Sequence, residues 1–256
     1  MVLYKSEEEI ALIRESAQIL GKAHGLITSQ IKEGITTLSL DKLAEEFIRD
    51  SGGLPSFKGY NGFPYSLCIS VNETVVHGFP GNYILKNGDV ISVDCGVKFN
   101  NYHSDSAYTH PVGEVEAETK NLLNKTKESL FKGINKAIAG NRIGDVANAI
   151  QNHVESQGFS VVRELVGHGI GRNLHEAPEV PNYGKRGQGL KLQAGLVIAI
   201  EPMVNLGARN IVQESDGWTI RTRDRKPSAH FEHTVVVRKD KAEILTTWEY
   251  IEQALK

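Results

Sequence analysis

Four carboxylates are stranded in or against apolar, strand-forming sequence. Asp94 interrupts Val90-Ile91-Ser92-Val93-Asp94-Cys95-Gly96-Val97, where strand alternation places it on the side of Ser92 and Gly96. Asp105, in His103-Ser104-Asp105-Ser106-Ala107, follows at the spacing of the next strand of a hairpin. Two aspartates opposed across a hairpin repel unless a cation lies between them. Glu201 closes the run Leu196-Val197-Ile198-Ala199-Ile200, and Glu232 precedes Thr234-Val235-Val236-Val237. Taken singly, each is an ordinary turn or strand-end residue. As a set at regular strand positions they predict an anionic cage, which divalent cations balance most economically.

Histidines complete the set. His168 stands in Gly167-His168-Gly169-Ile170-Gly171, where the glycines let the backbone turn sharply and leave the ring accessible. His175 lies in Asn173-Leu174-His175-Glu176, and His77 at a strand end in Val76-His77-Gly78-Phe79-Pro80. One histidine with four carboxylates suits Mn, Fe or Co at a pair of sites better than a thiolate-rich structural zinc site. The two cysteines, Cys68 and Cys95, form no C-x-x-C pair and no disulfide framework.

Positioning these groups requires helices and strands in a regular order. Ser6 and Glu9 form a capping-box pattern ahead of a long helix from about 7 to 31, and a shorter helix carries Leu40, Ala44 and Ile48 and ends before Gly52-Gly53. Segments 64–77, 89–99 and 102–112 read as strands. The pattern then recurs: a long helix at about 115–139, a shorter one carrying Val146, Ile150 and Val154 that stops at Gly158, and strands at 159–166, 196–204, 217–223 and 231–238. Gly34 to Gly52 and Gly140 to Gly158 both span 18 positions. The expectation is one α+β domain over 1–256. Its two pseudo-symmetric helix-helix-strand halves, about 6–112 and 115–238, place helices over a mostly antiparallel central sheet.

The 256 residues include 29 Lys plus Arg against 31 Asp plus Glu, a net charge of −2 with no long run of one sign, which disfavours a dedicated nucleic-acid binder. The N-terminus turns acidic where a signal peptide needs an apolar stretch, and no apolar run is long enough to span a bilayer. With few cysteines, this points to a soluble protein of a reducing cytoplasm, and a monomer is the default.

The motifs SVDCG, HSDSA, GHGIG, AIEPMV and FEHTVVV together resemble the type I methionine aminopeptidases, short bacterial form, of the pita-bread metallopeptidase superfamily. The likeness runs from the first helix to about Val237. It implies two divalent ions (Co, Mn, Fe or Zn) in a central cleft, with Asp94 chelating one, His168 and Glu201 holding the other, and Asp105 and Glu232 bridging both. It further implies a bridging hydroxide as nucleophile, Glu201 as proton shuttle to the leaving amine, and His77 and His175 as substrate contacts that are not ligands. Tyr60, Cys68 and Trp218 stand where the family lines its methionine pocket, whereas Phe57, Phe63 and Leu174 depart from the residues usual there. The implied activity is removal of the initiator methionine from nascent polypeptide N-termini when the second residue is small. No specific nucleic acid or membrane is implied, and a weak association with the ribosome stays open. Xaa-Pro aminopeptidases and prolidases share the five ligands but usually carry a further N-terminal domain. Creatinase-type enzymes lack the ligands, and a non-catalytic pita-bread binding module would bind no metal.

Overall fold

The computed structural model describes residues 1–256. In the first half, α1 (Glu7–Gln30) and α2 (Thr37–Asp50) precede β1 (Leu54–Pro55), β2 (Leu67–Val71), β3 (Thr74–Val76), β4 (Val90–Phe99) and β5 (Tyr102–Pro111). The Ser6 hydroxyl accepts from Glu9 N–H and the Glu9 carboxylate from Ser6 N–H, so the capping box forms as expected. Leu40, Ala44 and Ile48 of α2 join Leu20 and Ile27 of α1 in one core against Ile91, Val93 and Val97 of β4. The second half repeats the order with α3 (Ala117–Ile134), α4 (Ile143–Glu155), β6 (Ser160–Val161), β7 (Gly167–Gly169), β8 (Glu176–Val180), β9 (Val197–Ile200) and β10 (Met203–Asn205). The chain closes with β11 (Ile211–Gln213), β12 (Ile220–Thr222), β13 (Ser228–His230), β14 (His233–Val236), β15 (Glu243–Ile244) and α5 (Glu249–Ala254). Val146, Ile150 and Val154 enter a second core with Ile198, Ile200 and Val235, so the equally spaced helix residues do the same work in both halves.

The sheet divides into four antiparallel ladders, β1-β4-β2 with β5 on β4, β13-β10-β6, β11-β12-β3, and β15-β14-β9-β7-β8. β5 has β4 on one edge, and its other edge meets β13 and β14 at a seam where hydroxyls replace most ladder bonds. Glu232 N–H donates to Ala107 O at 3.0 Å. On one side of that bond the Thr234 hydroxyl accepts from Asp105 N–H (3.1 Å) and donates to Asp105 O (2.8 Å). On the other, Thr109 does the same for His230, at 2.9 and 2.7 Å.

Several boundaries differ from expectation for tertiary reasons. The third helix stops at Ile134, where bonding tightens into local turns (Lys136 N–H to Gly133 O, Ala137 N–H to Ile134 O), and the chain then leaves the helix path as Ala139 N–H donates to Arg238 O and Gly140 N–H to Leu192 O. Segment 64–77 breaks at Asn72, whose φ is +52°. Trp218 precedes β12 in a turn where Asp216 Oδ1 accepts from Trp218 and Thr219 N–H, each at 2.8 Å. The C-terminal α5 carries no strong sequence signal and packs where α1 is thinnest: a Cβ on Gly25 would lie 2.6 Å from Tyr250 Cβ. No helix is long and apolar enough to cross a membrane.

Candidate metal centre

The seam carries the site. Asp94 and Asp105 come from β4 and β5, His168 from β7, Glu201 from the end of β9, and Glu232 from the link between β13 and β14. The aspartates are not directly opposed: Asp94 pairs with Ala107 and Asp105 with Gly96, so the two carboxylates are diagonal neighbours on one face. Diagonal placement still leaves each carboxylate within the other's field. Glycine at 167 and 169 serves close approach rather than a sharp turn, since β7 is extended. A Cβ on Gly167 would lie 2.4 Å from Ala199 O, and one on Gly169 2.4 Å from Ala177 O. His168 is thereby pressed between β9 and β8. Its Nδ1–H donates to Gly169 O at 2.9 Å, which leaves the Nε2 lone pair facing Glu201 Oε1 at 3.8 Å and Asp105 Oδ2 at 3.9 Å.

The charges are uncompensated by protein. Asp94 Oδ1, Asp105 Oδ1 and Glu232 Oε1 are buried and have no hydrogen-bond partner. Burial pushes the Asp94 carboxyl up to about 7. Burial and then the neighbouring carboxylates hold Asp105 and Glu232 well above the ordinary range. Glu201 goes the other way: burial raises it, but the neighbouring imidazoles of His230 and His168 outweigh that and leave it below the usual value. Donor atoms of Asp105, His168 and Glu232 lie within 4.8 Å of one another, as do those of Glu201, His230 and Glu232. Orphaned buried carboxylate oxygens around one imidazole lone pair fit divalent cations. His230, 1% exposed with Nε2 3.3 Å from Glu201 Oε2, is the one member of this cluster that the sequence reasoning passed over. No local signal marks it, because it lies in a His-rich stretch and only its distance to Glu201 singles it out.

The cage forms the floor of a cleft of about 230 Å³ whose walls include His77, Tyr60, Cys68, His175 and Trp218. His77 reaches it from a left-handed backbone (φ +58°), a costly conformation for a non-glycine residue that is characteristic of functional sites. The Tyr60 hydroxyl lies 2.8 Å from His175 Nδ1, and the His168 and His175 rings are 4.2 Å apart.

A metallopeptidase family M24 model matches residues 11–239. The methionine aminopeptidase of Clostridium perfringens is 54% identical over 246 residues, covering 96% of this chain and 99% of that protein. The crystal structure of methionine aminopeptidase from Rickettsia prowazekii superposes with a TM-score of 0.95 at 38% identity, covering 96% of this chain and 100% of that one. This chain belongs to the methionine aminopeptidases of family M24. The prolidase from Pyrococcus horikoshii, at 23% identity and a TM-score of 0.80, shares the pita-bread fold, and the match covers 97% of this chain but 65% of the prolidase.

Within a methionine aminopeptidase, the departures at Phe57, Phe63 and Leu174 acquire a place. All three are buried in the cleft wall. Phe63 meets Trp218 edge to face at 5.1 Å. Phe57 fits because position 96 is glycine: a Cβ there would lie 2.8 Å from its ring. Burial raises the Cys68 thiol well above its ordinary value, so it lines the pocket as a neutral, polarizable group and not as a nucleophile.

Proposed function

We propose that this chain removes N-terminal methionine from nascent polypeptides whose second residue is small, using two divalent ions drawn from Co, Mn, Fe and Zn. The observation that carries this reading is the juxtaposition of unpartnered carboxylate oxygens with an aromatic, thiol-lined pocket in a single cleft. Asp94, Asp105, His168, Glu201 and Glu232 would hold the ions, which when bound polarise the scissile carbonyl and lower the pKa of a water. The protein's own groups do the rest. Tyr60, Phe63, Cys68 and Trp218 receive the methionine side chain. Glu201, kept ionised by its imidazole neighbours, takes a proton and returns it to the leaving amine. His77 is kept neutral by burial, and it and His175 donate N–H bonds to the peptide and to the oxyanion that develops on it.

With ions held on the carboxylate floor, little room remains beyond the scissile bond, which favours Gly, Ala or Ser after the methionine. Buried free thiols at Cys68 and Cys95 suit a reducing compartment, and we assign the cytoplasm on that ground. Hydrolysis of Met-Ala, Met-Lys and Xaa-Pro peptides by the metal-loaded protein tests this reading. Met-Ala should be preferred, and equal rates on Met-Lys, or faster cleavage of Xaa-Pro, would contradict it.

A further inference from the structure

His230 is fully enclosed yet its ring is not consumed by packing. Nε2 lies 3.3 Å from Glu201 Oε2, within reach but not aligned as a formed hydrogen bond, and it is bonded to nothing else. The other oxygen of the same carboxylate, Oε1, faces His168 Nε2 at 3.8 Å. Two imidazoles therefore divide one carboxylate between them.

The backbone at 230 is built with the same device as a proposed ligand position. Thr109, four residues after Asp105, clasps the N–H and C=O of His230. Thr234, four residues after His230, clasps those of Asp105. Across the seam, His230 thus stands in the second half where Asp105 stands in the first. The Thr109 hydroxyl is itself fixed by Ser92 Oγ at 2.8 Å, so its one proton and its lone pairs are all engaged. Such a clasp leaves position 230 little freedom, and the ring it carries ends against Glu201.

We propose that His230 is a positioning residue: its Nε2–H donates to Glu201 Oε2 and so turns Oε1 toward His168 before an ion arrives. The inference rests on the proposed metallopeptidase reading, in which Glu201 is a ligand and proton carrier. An outer hydrogen bond to a ligand carboxylate commonly alters metal affinity 10–100-fold.

The test compares wild type, His230→Leu and His230→Gln by Co(II) or Mn(II) titration of the chelated protein and by turnover of a Met-Ala peptide. His230→Leu should bind the ion about tenfold or more weakly and lose roughly 10–100-fold in kcat with KM nearly unchanged. His230→Gln, which keeps a side-chain N–H donor, should recover most of both losses. The Co(II) visible absorption bands of wild type and His230→Gln should coincide, because no nitrogen ligand is lost. A change in the bands that marks loss of a nitrogen ligand in His230→Gln would make His230 a ligand and overturn the proposal, as would a His230→Leu protein that binds metal and turns over like wild type. Should His230→Leu not fold, His230→Asn, too short to reach Glu201, takes its place. A wild type inactive on Met peptides would refute the aminopeptidase reading, while the metal titrations still decide the role of His230.

Discussion

Asp94→Asn, measured in the chelated protein, removes one member of the cage and with it the field that helps raise Asp105 and Glu232. Burial is the largest influence on Asp94, taking it from 3.8 to about 7. An acid whose folded pKa exceeds its unfolded one carries no penalty below about pH 4, where it is neutral in both states, and its full penalty above about pH 7. The full penalty is about 4 kcal/mol. About 3 kcal/mol of it develops between pH 5 and pH 8, on the order of 10 °C in melting temperature for a chain of this length. The buried His24, His103, His110 and His233, all lowered by burial, act oppositely on the acid side, losing stability as pH falls. They are common to both proteins and cancel in the difference. Thermal melts of wild type and variant in excess chelator, from pH 5 to pH 8, should therefore show the variant's advantage growing with pH. Saturating metal should invert it, because the wild type alone keeps its full ligand set. A gap that is flat across this range would refute the claim that Asp94 is an uncompensated buried acid.

Three further outcomes follow from the same geometry. Glu232→Ala removes a carboxylate oxygen that has no protein partner, and metal content and turnover should fall together when both are measured on one preparation. His77→Ala and His175→Ala should each retain metal while losing roughly 10²–10³ in kcat, the usual loss for an oxyanion donor, and loss of metal in either would make that histidine a ligand. Gly167→Ala would set a Cβ 2.4 Å from Ala199 O, so β7 must move. The expected cost is roughly 1–3 kcal/mol in a denaturant melt, with weaker metal binding because His168 moves as well.

Much of this was readable in the linear sequence, and the rest has identifiable reasons. The capping box at Ser6 and the matched α2 and α4 apolar spacings are local patterns, and they appear where expected. Asp94, Asp105, Glu201 and Glu232 stood out because a carboxylate inside a strand pattern is anomalous without help. The diagonal rather than opposed arrangement of the aspartates depends on hairpin register, which spacing alone leaves open by one pair. The glycines around His168 were misjudged because close backbone approach looks the same in sequence as a turn. β7 and β8 are short strands whose mutual ladder is interrupted by a bulge, and β7 meets β9 at a single pair, while α5 owes its position to Gly21 and Gly25 of α1. His230 escaped because a histidine in a His-rich stretch carries no anomaly until its distance to Glu201 is known.

The central claim is that the buried carboxylates form a metal site on which peptide cleavage depends. Its most direct test is turnover of a Met-Ala peptide by one protein sample before chelation, after exhaustive chelation with metal verified absent, and after readdition of Co, Mn, Fe or Zn. Activity should be lost on chelation and return with the metal. Undiminished turnover in the verified metal-free protein would contradict it.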